Sequence, residues 1–252
     1  ACTSASSTPA SVRTSAILEG DNYRVNGTKI WTTDAHRNDY IICLVRTQPA
    51  EENRHAGLSQ IIIDLKRDGA KVRPIKNMAG GEDFNEVVFE DVVVPKDRIV
   101  GEAGNGWAQV TSELAYERSG PERFLSAFRV FVELVRFCGP EPTEYQATVI
   151  GRIASHIMTL RRMSISVAGM LESGKDVVVE AALVKELGNN FEKLLPELAR
   201  VVGSDGFSDF SRDGDLFRRT FEDTMLLSPS FTLRGGTREI LRGVIARGLG
   251  LR

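Results

Sequence analysis

The chain has 252 residues, of which 42% are hydrophobic and 26% charged, and its formal net charge is −2. This composition is ordinary for a globular protein, and the near-neutral charge gives no electrostatic basis for binding nucleic acid or an anionic membrane. No apolar run approaches the roughly 20 residues that a membrane-spanning helix needs. We therefore expect a soluble protein whose partners are neither nucleic acids nor membranes.

The cysteines and histidines are few and far apart: Cys2, Cys43, Cys138, His36, His55 and His156. Their spacing matches neither a metal site nor a disulfide framework, so we expect no metal and, by default, a reducing cytoplasm. The opening stretch, ACTSASSTPAS, has no initiator Met and lacks the basic and apolar parts of a signal peptide. We expect the sequence to begin inside a longer protein.

The first hundred residues have the pattern of β-structure. Short runs rich in Ile and Val, separated by Gly, Asp and Asn, cover residues 39–46, 58–65, 70–75 and 85–94. Pro95 ends the last run, because proline cannot donate to a central ladder. Short strands at close spacing predict an antiparallel sandwich or barrel.

One stretch of this half, YRVNGTKIWTT, carries a strong hairpin signal. Asn26 and Gly27 can both adopt positive φ, as the type I′ turn of a two-residue hairpin requires, so we predict a hairpin there. The second arm ends in a tryptophan and two threonines. Packing explains most such residues, but Trp31 and Thr33 are two positions apart and would project from one face of the strand.

After the segment GEAGNGW the period changes to that of helices. The pair Thr143 and Gln146 predicts a capping box, and apolar residues at spacings of three and four continue from Ile150 to Leu171. The other predicted helical segments are 107–137, interrupted at Gly120-Pro121, 177–202, bent near Pro196, 215–227 and 237–249. We predict an α+β multidomain protein: an antiparallel β-barrel or sandwich domain (1–104) followed by a C-terminal four-helix-type bundle (105–252).

Three segments, in this order, resemble the acyl-CoA dehydrogenase family. GDNYRVNGTKIWTTDAHRNDYIICLVRT is similar to the family's middle domain, NEVVFEDVVVPKDRIVGEAGNGW to the end of that domain, and GGTREILRGVIARGLGL to its terminal helix. The resemblance begins near Val12, and we expect the family's N-terminal helical domain to be absent from this sequence. Before Val12, only Ala5 and Ser7 keep the pattern of a family loop, which implies Ser7 as a substrate contact.

The resemblance implies an activity and a set of partners. Members use FAD to desaturate an acyl-CoA: a glutamate removes the α-proton while a hydride leaves the β-carbon for the flavin. We therefore expect an acyl-CoA substrate, a role in fatty acid or lipid metabolism such as β-oxidation, and an electron-transferring flavoprotein as acceptor. Subunits of the family form homo- or hetero-dimers or tetramers in which one chain helps to hold its neighbour's flavin.

The resemblance also assigns cofactor contacts. Trp31 would lie against the flavin, and Thr33 would hydrogen-bond its reactive nitrogen. An indole offers a flat apolar wall, and a hydroxyl can tune a flavin nitrogen without adding charge. Further cofactor contacts are implied for Gln146, Gly203, Thr237 and Glu239.

The position of the base departs from the commonest family pattern. Many members carry the glutamate as Glu-Gly-Thr before the last helix, and here that position is Gly235. A minority, including isovaleryl- and long-chain-type enzymes, carry it on the first bundle helix before an arginine, as Glu117 and Arg118 stand here. We expect Glu117 to be the base, in a dry site that favours proton uptake by a carboxylate. Glu122 is a weaker candidate, and a solvated surface residue is the alternative for Glu117.

The resemblance implies three substrate contacts in the bundle. Arg118 would lie near the CoA portion, and an ion pair with a bundle neighbour is the alternative. Gly235 and Gly236 would let backbone amides approach the flavin and the thioester, helped by the helix N-terminus. The alternative for these glycines is a tight turn with Thr237 as the N-cap.

The segments that would reach a neighbour's flavin are altered. Val135 and Cys138 replace the Arg and Phe of the family's Arg-x-x-Phe-Gly, while Gly139 fits. In Gln-x-x-Gly-Gly-x-Gly, Arg200 replaces the Gln and Ser204 the second Gly, whereas Gly203 and Gly206 remain.

Three interpretations therefore stay open. The chain belongs to a dehydrogenase or its Glu-bearing subunit, to a degenerate subunit that completes a hetero-oligomer, or to a flavin oxidase or monooxygenase on the same fold. Without an N-terminal domain to exclude water, we expect these 252 residues alone to catalyse poorly.

Overall fold

The computed structural model describes residues 12–251, apart from 50, 51, 54 and 204–211. The first half forms one sheet with strand order β4-β3-β1-β2-β6-β5. Its strands are β1 (Ser15–Glu19), β2 (Asn22–Thr33), β3 (Tyr40–Arg46), β4 (Leu58–Asp64), β5 (Lys71–Ile75) and β6 (Phe84–Pro95). All neighbours are antiparallel except β1 and β3, which pair in parallel at Ser15 and Arg46.

The strands arise where apolar and polar residues alternate. In β6 the side chains of Asn85, Val87 and Phe89 are buried, while those between them are less so. The alternation resumes one position out of phase at Val92, after Asp91, whose φ of +52° marks an irregularity opposite β2. The four strands predicted from Ile and Val runs each lie within one residue of the observed bounds.

The hairpin predicted at Asn26 and Gly27 is wrong. Both residues lie inside β2, which pairs with β1, where Ser15 is opposite Asn26, and with β6 on its other side. The register between β2 and β6 shifts between Val25 and Gly27, so the dipeptide forms a bulge in a continuous strand. The chain instead turns at Gly20, between β1 and β2.

Tertiary neighbours on both sides hold this bulge. The Asn26 side chain donates to Asp91 Oδ1 at 3.0 Å and accepts from the Asp91 amide at 2.9 Å. Gly27 has φ +140°, and a Cβ there would lie 2.7 Å from the Cα of Thr14. A glycine inside a strand often marks such an approach of another backbone. The residues that could make a turn here make a strand irregularity.

The second half is helical. Its helices are α1 (Gly106–Ser119), α2 (Phe128–Cys138), α3 (Glu144–Glu172), α4 (Val178–Val202), α5 (Arg212–Leu227) and α6 (Arg238–Gly248). The predicted interruption at Gly120-Pro121 is confirmed, since a 3-10 turn, Pro121–Arg123, follows α1. A second one, Ser228–Thr232, precedes the loop to α6.

The capping box predicted at the start of α3 is confirmed. The Thr143 hydroxyl accepts from the Gln146 amide at 3.3 Å, and the Thr143 amide donates to the Gln146 side chain at 2.9 Å. The predicted apolar stripe of α3 buries Ile153, Leu160 and Val167. Together the cap and the stripe explain why this helix starts where it does and which face it packs.

The chain folds into two compact units, one ending at Ser112 and the other beginning at Glu113. The division lies inside α1, whereas the sequence placed the boundary between residues 104 and 105. Each unit has its own core, which includes Val25, Cys43, Ile61 and Phe89 in the β unit and Val130, Ile153, Phe191 and Leu195 in the helical unit. No helix among the described residues is long and apolar enough to cross a membrane.

Candidate active site

Trp31 stands on a second bulge of β2. The β2–β6 register shifts between Lys29 and Thr32, and Trp31 has φ +63°. Positive φ is rare for a bulky residue, and such outliers cluster at functional sites. The side chain is 55% exposed and meets the ring of Phe84 edge to face, with centroids 6.1 Å apart. The bulge therefore turns a large indole outward from the β unit.

Thr33 lies beside this indole at the end of β2. Trp31 and Thr33 are both exposed, and Thr32 between them is buried. Asn85 of β6 fixes the backbone here, because its side chain donates to the Thr32 carbonyl at 3.0 Å and its Oδ1 lies 2.9 Å from His36 Nδ1. The hydroxyl of Thr33 is thus presented by a strand end that is held from the side.

Glu117 lies near the end of α1 and forms an ion pair with Arg123. The Arg123 Nη2 is 2.5 Å from Glu117 Oε1, and its Nε donates to the Glu117 carbonyl at 3.0 Å. The arginine comes from the 3-10 turn after α1, so the Gly120-Pro121 interruption supplies the partner of Glu117. The carboxylate is 34% exposed and so is not a fully solvated surface group.

Gly235 is next to this carboxylate. A Cβ at Gly235 would lie 3.5 Å from Glu117 Oε1, 3.5 Å from Arg123 Nε and 3.5 Å from Lys185 Cε. The family resemblance gave two possible positions for the base, one on α1 and one before α6. These two positions are therefore neighbours in space. The glycine has φ +69°, a conformation that favours glycine.

Arg118 ties α1 to the same loop. It is 9% exposed and its Nε donates to the Gly235 carbonyl at 3.2 Å. Burial lowers the pKa of Arg118, and the neighbouring charge of Glu117 opposes that shift. The guanidinium group of Arg118 thus contacts the loop that carries Gly235 and Gly236.

The start of α6 combines a turn with an acidic residue. Thr237 is the N-cap residue, but its side chain makes no capping hydrogen bond to the helix amides. Hydrogen bonds from its own backbone amide and from the Thr237 side chain lower the pKa of Glu239. A carboxylate in the first turn also suits the helix dipole. The turn predicted as the alternative for this segment is present, without the predicted side-chain cap.

Sequence reasoning missed the buried charges behind Glu117. Lys185 and Glu192 on α4 are both 0% exposed, and Arg234 precedes Gly235 in the loop. The Lys185 Nζ donates to the Phe231 carbonyl at 3.2 Å, and Arg234 Nη2 is 3.3 Å from Glu192 Oε1. A signal was available, since both α4 residues share a helix face with apolar core residues.

Two family models match the chain. The acyl-CoA dehydrogenase middle domain matches residues 3–92, and the acyl-CoA dehydrogenase C-terminal domain matches residues 104–250. The chain belongs to the acyl-CoA dehydrogenase family. The resemblance inferred from three sequence segments is confirmed, and so is the pairing of a β domain with a helical one.

Individual relatives agree with the family assignment. The acyl-CoA dehydrogenases IpdE1 and FadE29 of Mycobacterium tuberculosis are each 33% identical to this chain, covering 96% and 94% of it and 63% and 62% of their own lengths. The crystal structure of the ChsE4-ChsE5 complex from Mycobacterium tuberculosis superposes with a TM-score of 0.80 at 27% identity, covering 100% of this chain and 68% of that one. The chain thus spans less than two thirds of these curated relatives.

Two exposed side chains of the β unit have the chemistry that contacts with a flavin would use. The outward indole of Trp31 offers a flat apolar surface, and Thr33, two residues further on, is exposed as well. An aromatic side chain can pack against a flavin ring, and hydrogen bonds to the ring nitrogens can tune its electronics. Among the described residues no group of three or more His, Cys, Asp or Glu side chains could hold a metal ion.

The other proposed cofactor and substrate residues have varied places. The Gln146 side chain is engaged in the capping box of α3. Gly203 ends α4, and a Cβ there would collide with the Phe217 ring, which gives this glycine a packing role. Ser7, Ser204 and Gly206 lie outside the described residues.

An open groove of about 330 Å³ lies in the helical unit, where Tyr116 at the end of α1 forms part of its lining. It is bounded by the end of α1, the following turn and the second half of α3. Its mostly apolar lining suits an acyl group, and the residues include Tyr116, Ser119, Pro121, Ser164, Ala168 and Leu171.

Proposed function

We propose that the protein carrying this chain is an FAD-dependent acyl-CoA dehydrogenase in which Glu117 removes the α-proton of the thioester. The observation that carries the proposal is the 3.5 Å between Glu117 Oε1 and the position of a Cβ on Gly235. A base lost at one position and gained at the other would act from the same place, because the two positions are neighbours. The exposed Trp31 and Thr33 support the cofactor assignment.

Each residue has a role that follows from its surroundings. When bound, FAD supplies the acceptor for the hydride that leaves the β-carbon. Trp31 would give the ring a flat wall, and Thr33 would donate or accept a hydrogen bond at its edge. Glu117 takes the α-proton, and Arg123 holds the carboxylate at Oε1, which leaves Oε2 to receive the proton.

The loop before α6 has a positioning and an electrostatic role. Arg118 binds the Gly235 carbonyl, so the backbone amides of Gly235 and Gly236 are held in place. Amides at a helix start can polarise the thioester carbonyl and so make the α-proton more acidic. The groove lined by Tyr116 and Leu171 is our candidate for the acyl group.

The first test is anaerobic bleaching of bound flavin by a panel of acyl-CoAs with straight, branched and cyclic acyl groups. Glu117→Gln should slow bleaching at least about a hundredfold, because general-base catalysis contributes about that much or more. Glu122→Gln, which changes a more exposed carboxylate paired with the same arginine, is the matched control. Equal losses of bleaching rate in the two variants would show that Glu117 is not the base.

A double variant tests the relocation itself. The double variant Glu117→Gln, Gly235→Glu returns a carboxylate to the other side of the same point. A residue with a side chain in the left-handed backbone conformation of Gly235 costs about 1–2 kcal/mol. We expect partial recovery of bleaching relative to Glu117→Gln alone. Recovery should be absent if the two positions do not serve the same proton.

The second candidate is a non-catalytic subunit that completes a mixed assembly. The replaced flavin-contact residues Val135, Cys138 and Arg200 favour it, and so does the similarity to a chain of the ChsE4-ChsE5 complex. A protein that binds no flavin even when FAD is added would support this candidate. In either case we propose an acyl-CoA ligand and, for the catalytic form, an electron-transferring flavoprotein as acceptor.

A further inference from the structure

α4 carries three polar side chains that are completely buried. Lys185, Asn189 and Glu192 are each 0% exposed. Spacings of four and three put them on one face of the helix. Charged residues are rarely buried so completely, because taking an ion out of water is costly. This face therefore needs an explanation beyond packing.

Two of these side chains hold the segments that lead to Gly235. The Lys185 ammonium donates to the Phe231 carbonyl at 3.2 Å. Glu192 accepts from the Ser126 amide at 2.9 Å and from Arg234 at 3.3 Å. The Cε of Lys185 and Oε1 of Glu117 are both 3.5 Å from the Cβ position of Gly235, so the lysine and the proposed base flank one point.

The charged groups that face Lys185 come from four segments. Glu117 lies on α1, Arg123 in the 3-10 turn, Arg234 in the loop and Glu192 on α4 itself. The described ion pairs of the other helices packed on α4 are made elsewhere: Glu133 with Arg136 on α2, Asp215 with Arg218 on α5, and Glu186 with Arg238 and Arg242 of α6. On α3, His156 stacks on Phe191.

We propose that Lys185 is a positioning residue that acts through Glu117: its buried ammonium group places a cation near the base and thereby opposes transfer of the α-proton to Glu117. The inference rests on the proposed role of Glu117. With Lys185 charged, Lys185 and the groups that face it comprise three cations and two carboxylates. Around them, Arg118 lies beside Glu117 and Glu122 pairs with Arg123. When Glu117 accepts the α-proton, this group of charges loses a carboxylate while its cations remain, which is electrostatically unfavourable. Loss of the Lys185 proton removes that cost.

The protonation of Lys185 falls in a useful range of pH. Burial is the main cause that lowers the pKa of Lys185 to about 8, and Glu117 and Glu192 oppose the shift. Raising the pH through this value therefore removes a cation next to the base. A nearby cation opposes the loss of negative charge when the base takes up a proton, so proton abstraction by Glu117 should become faster as Lys185 becomes neutral.

The test measures the rate of anaerobic flavin bleaching from about pH 6.5 to about pH 9, in the protein that carries this chain. The wild-type rate should rise roughly three- to tenfold across this range. In Lys185→Met the rise should be absent, because the ammonium group that loses its proton in this range is gone. Lys193→Met removes an exposed lysine of the same helix and should keep the wild-type profile.

The change of the bleaching rate with pH separates this role of Lys185 from a merely structural one. A structural loss would slow Lys185→Met equally at every pH and leave the rise in place. A rise that persists in Lys185→Met, or a flat wild-type profile, would overturn the proposal. Glu117 would remain the base in either case if Glu117→Gln alone abolishes bleaching, so the two proposals fail separately.

A second readout needs no catalysis. Because the pKa of Lys185 is lower in the folded protein than the 10.5 of an ordinary lysine, the unfolded chain binds more protons between about pH 8 and 10.5. The unfolding free energy of the wild type should therefore rise with pH in this window relative to Lys185→Met, and not below it.

The same readout tests the link between the two residues. Glu117→Gln removes a carboxylate that favours the ammonium form, so the rise should begin at lower pH in a Glu117→Gln background. This shift is required because coupling between two protonation sites is reciprocal. If Glu117→Gln leaves the position of the rise unchanged, Lys185 does not act on Glu117.

Discussion

Asn26 and Gly27 form a bulge that receives Thr14 and Asp91 in the middle of β2. The dipeptide is a strong local signal for a hairpin, yet here Asn26 bonds across to Asp91, and Gly27 leaves room for the Thr14 backbone. A local preference of this kind is worth little against the pairing of a strand on both edges. At the scale of single residues, the space that a side chain would occupy decides what the residue does.

The close approach of Thr14 at this bulge predicts that a single methyl group added at Gly27 destabilises the protein. Gly27→Ala should lower the free energy of unfolding by about 2–3 kcal/mol, because its Cβ would lie 2.7 Å from the Thr14 Cα at a φ of +140°. Gly20→Ala is the matched control, since it has φ +62° with nothing within 4 Å, and should cost only about 1 kcal/mol. Urea titration of both variants checks this, and equal losses would show that the close approach to Thr14 is unimportant.

At the scale of elements, α4 positions the site through its contact with the turn after α1. Gly188 allows this contact, because a Cβ there would lie 2.6 Å from the Arg123 carbonyl and 3.1 Å from the Phe124 Cβ. The 3-10 turn that presents Arg123 to Glu117 thus rests directly on the α4 backbone. The position of the proposed base depends on how closely two elements pack.

Gly188→Ala should therefore be destabilising although it lies inside a helix. Alanine normally stabilises a helix interior by about 0.5–1 kcal/mol relative to glycine, but overpacking against the turn should cost about 1–3 kcal/mol. Gly151→Ala in α3, with nothing within 4 Å, should instead stabilise the protein. Opposite signs in urea unfolding are the expected outcome. If Gly188→Ala is also stabilising, the turn can move away freely and does not fix Arg123.

At the scale of the whole molecule, the chain has two compact units, each with residues proposed for one reaction. The positions at which the family resemblance implies contacts with a neighbour's flavin hold Val135, Cys138 and Arg200. Val135 is 39% exposed and the Arg200 side chain 54% exposed, so both can change with little effect on the core. Cys138 packs against the core and is a less suitable site for substitution.

Restoring the family's residues at these positions should increase the amount of FAD that the protein binds. Val135→Arg combined with Arg200→Gln restores two family residues and should raise the FAD content per chain at least about twofold, because charge and a side-chain amide return to the neighbour's flavin site. The absorbance of the purified protein in the flavin band, divided by that in the protein band, measures the FAD content per chain. Met158→Arg, an exposed change on α3, should leave FAD content unchanged. Equal FAD content in all three proteins would argue against a flavin-facing role for Val135 and Arg200.

The sequence by itself determined most of the element bounds and the family. Strand positions followed from alternation, α3 began at its capping box, and the break after α1 followed from Gly120-Pro121, because each depends on a few neighbouring residues. Motifs in the right order then identified the family, and they nominated Glu117 from its position before Arg118. These signals are local, so they can be read along the chain without knowing what packs where.

The tertiary structure alone decided what these residues meet. The neighbouring positions of Glu117 and Gly235, the ion pair with Arg123 and the complete burial of Lys185 all depend on segments that meet only in the folded chain. The same holds for the Gly27 bulge and for the outward turn of Trp31. Burial, charge and close approach arise from packing between elements, and residue preferences over a short window contain no information about the partner.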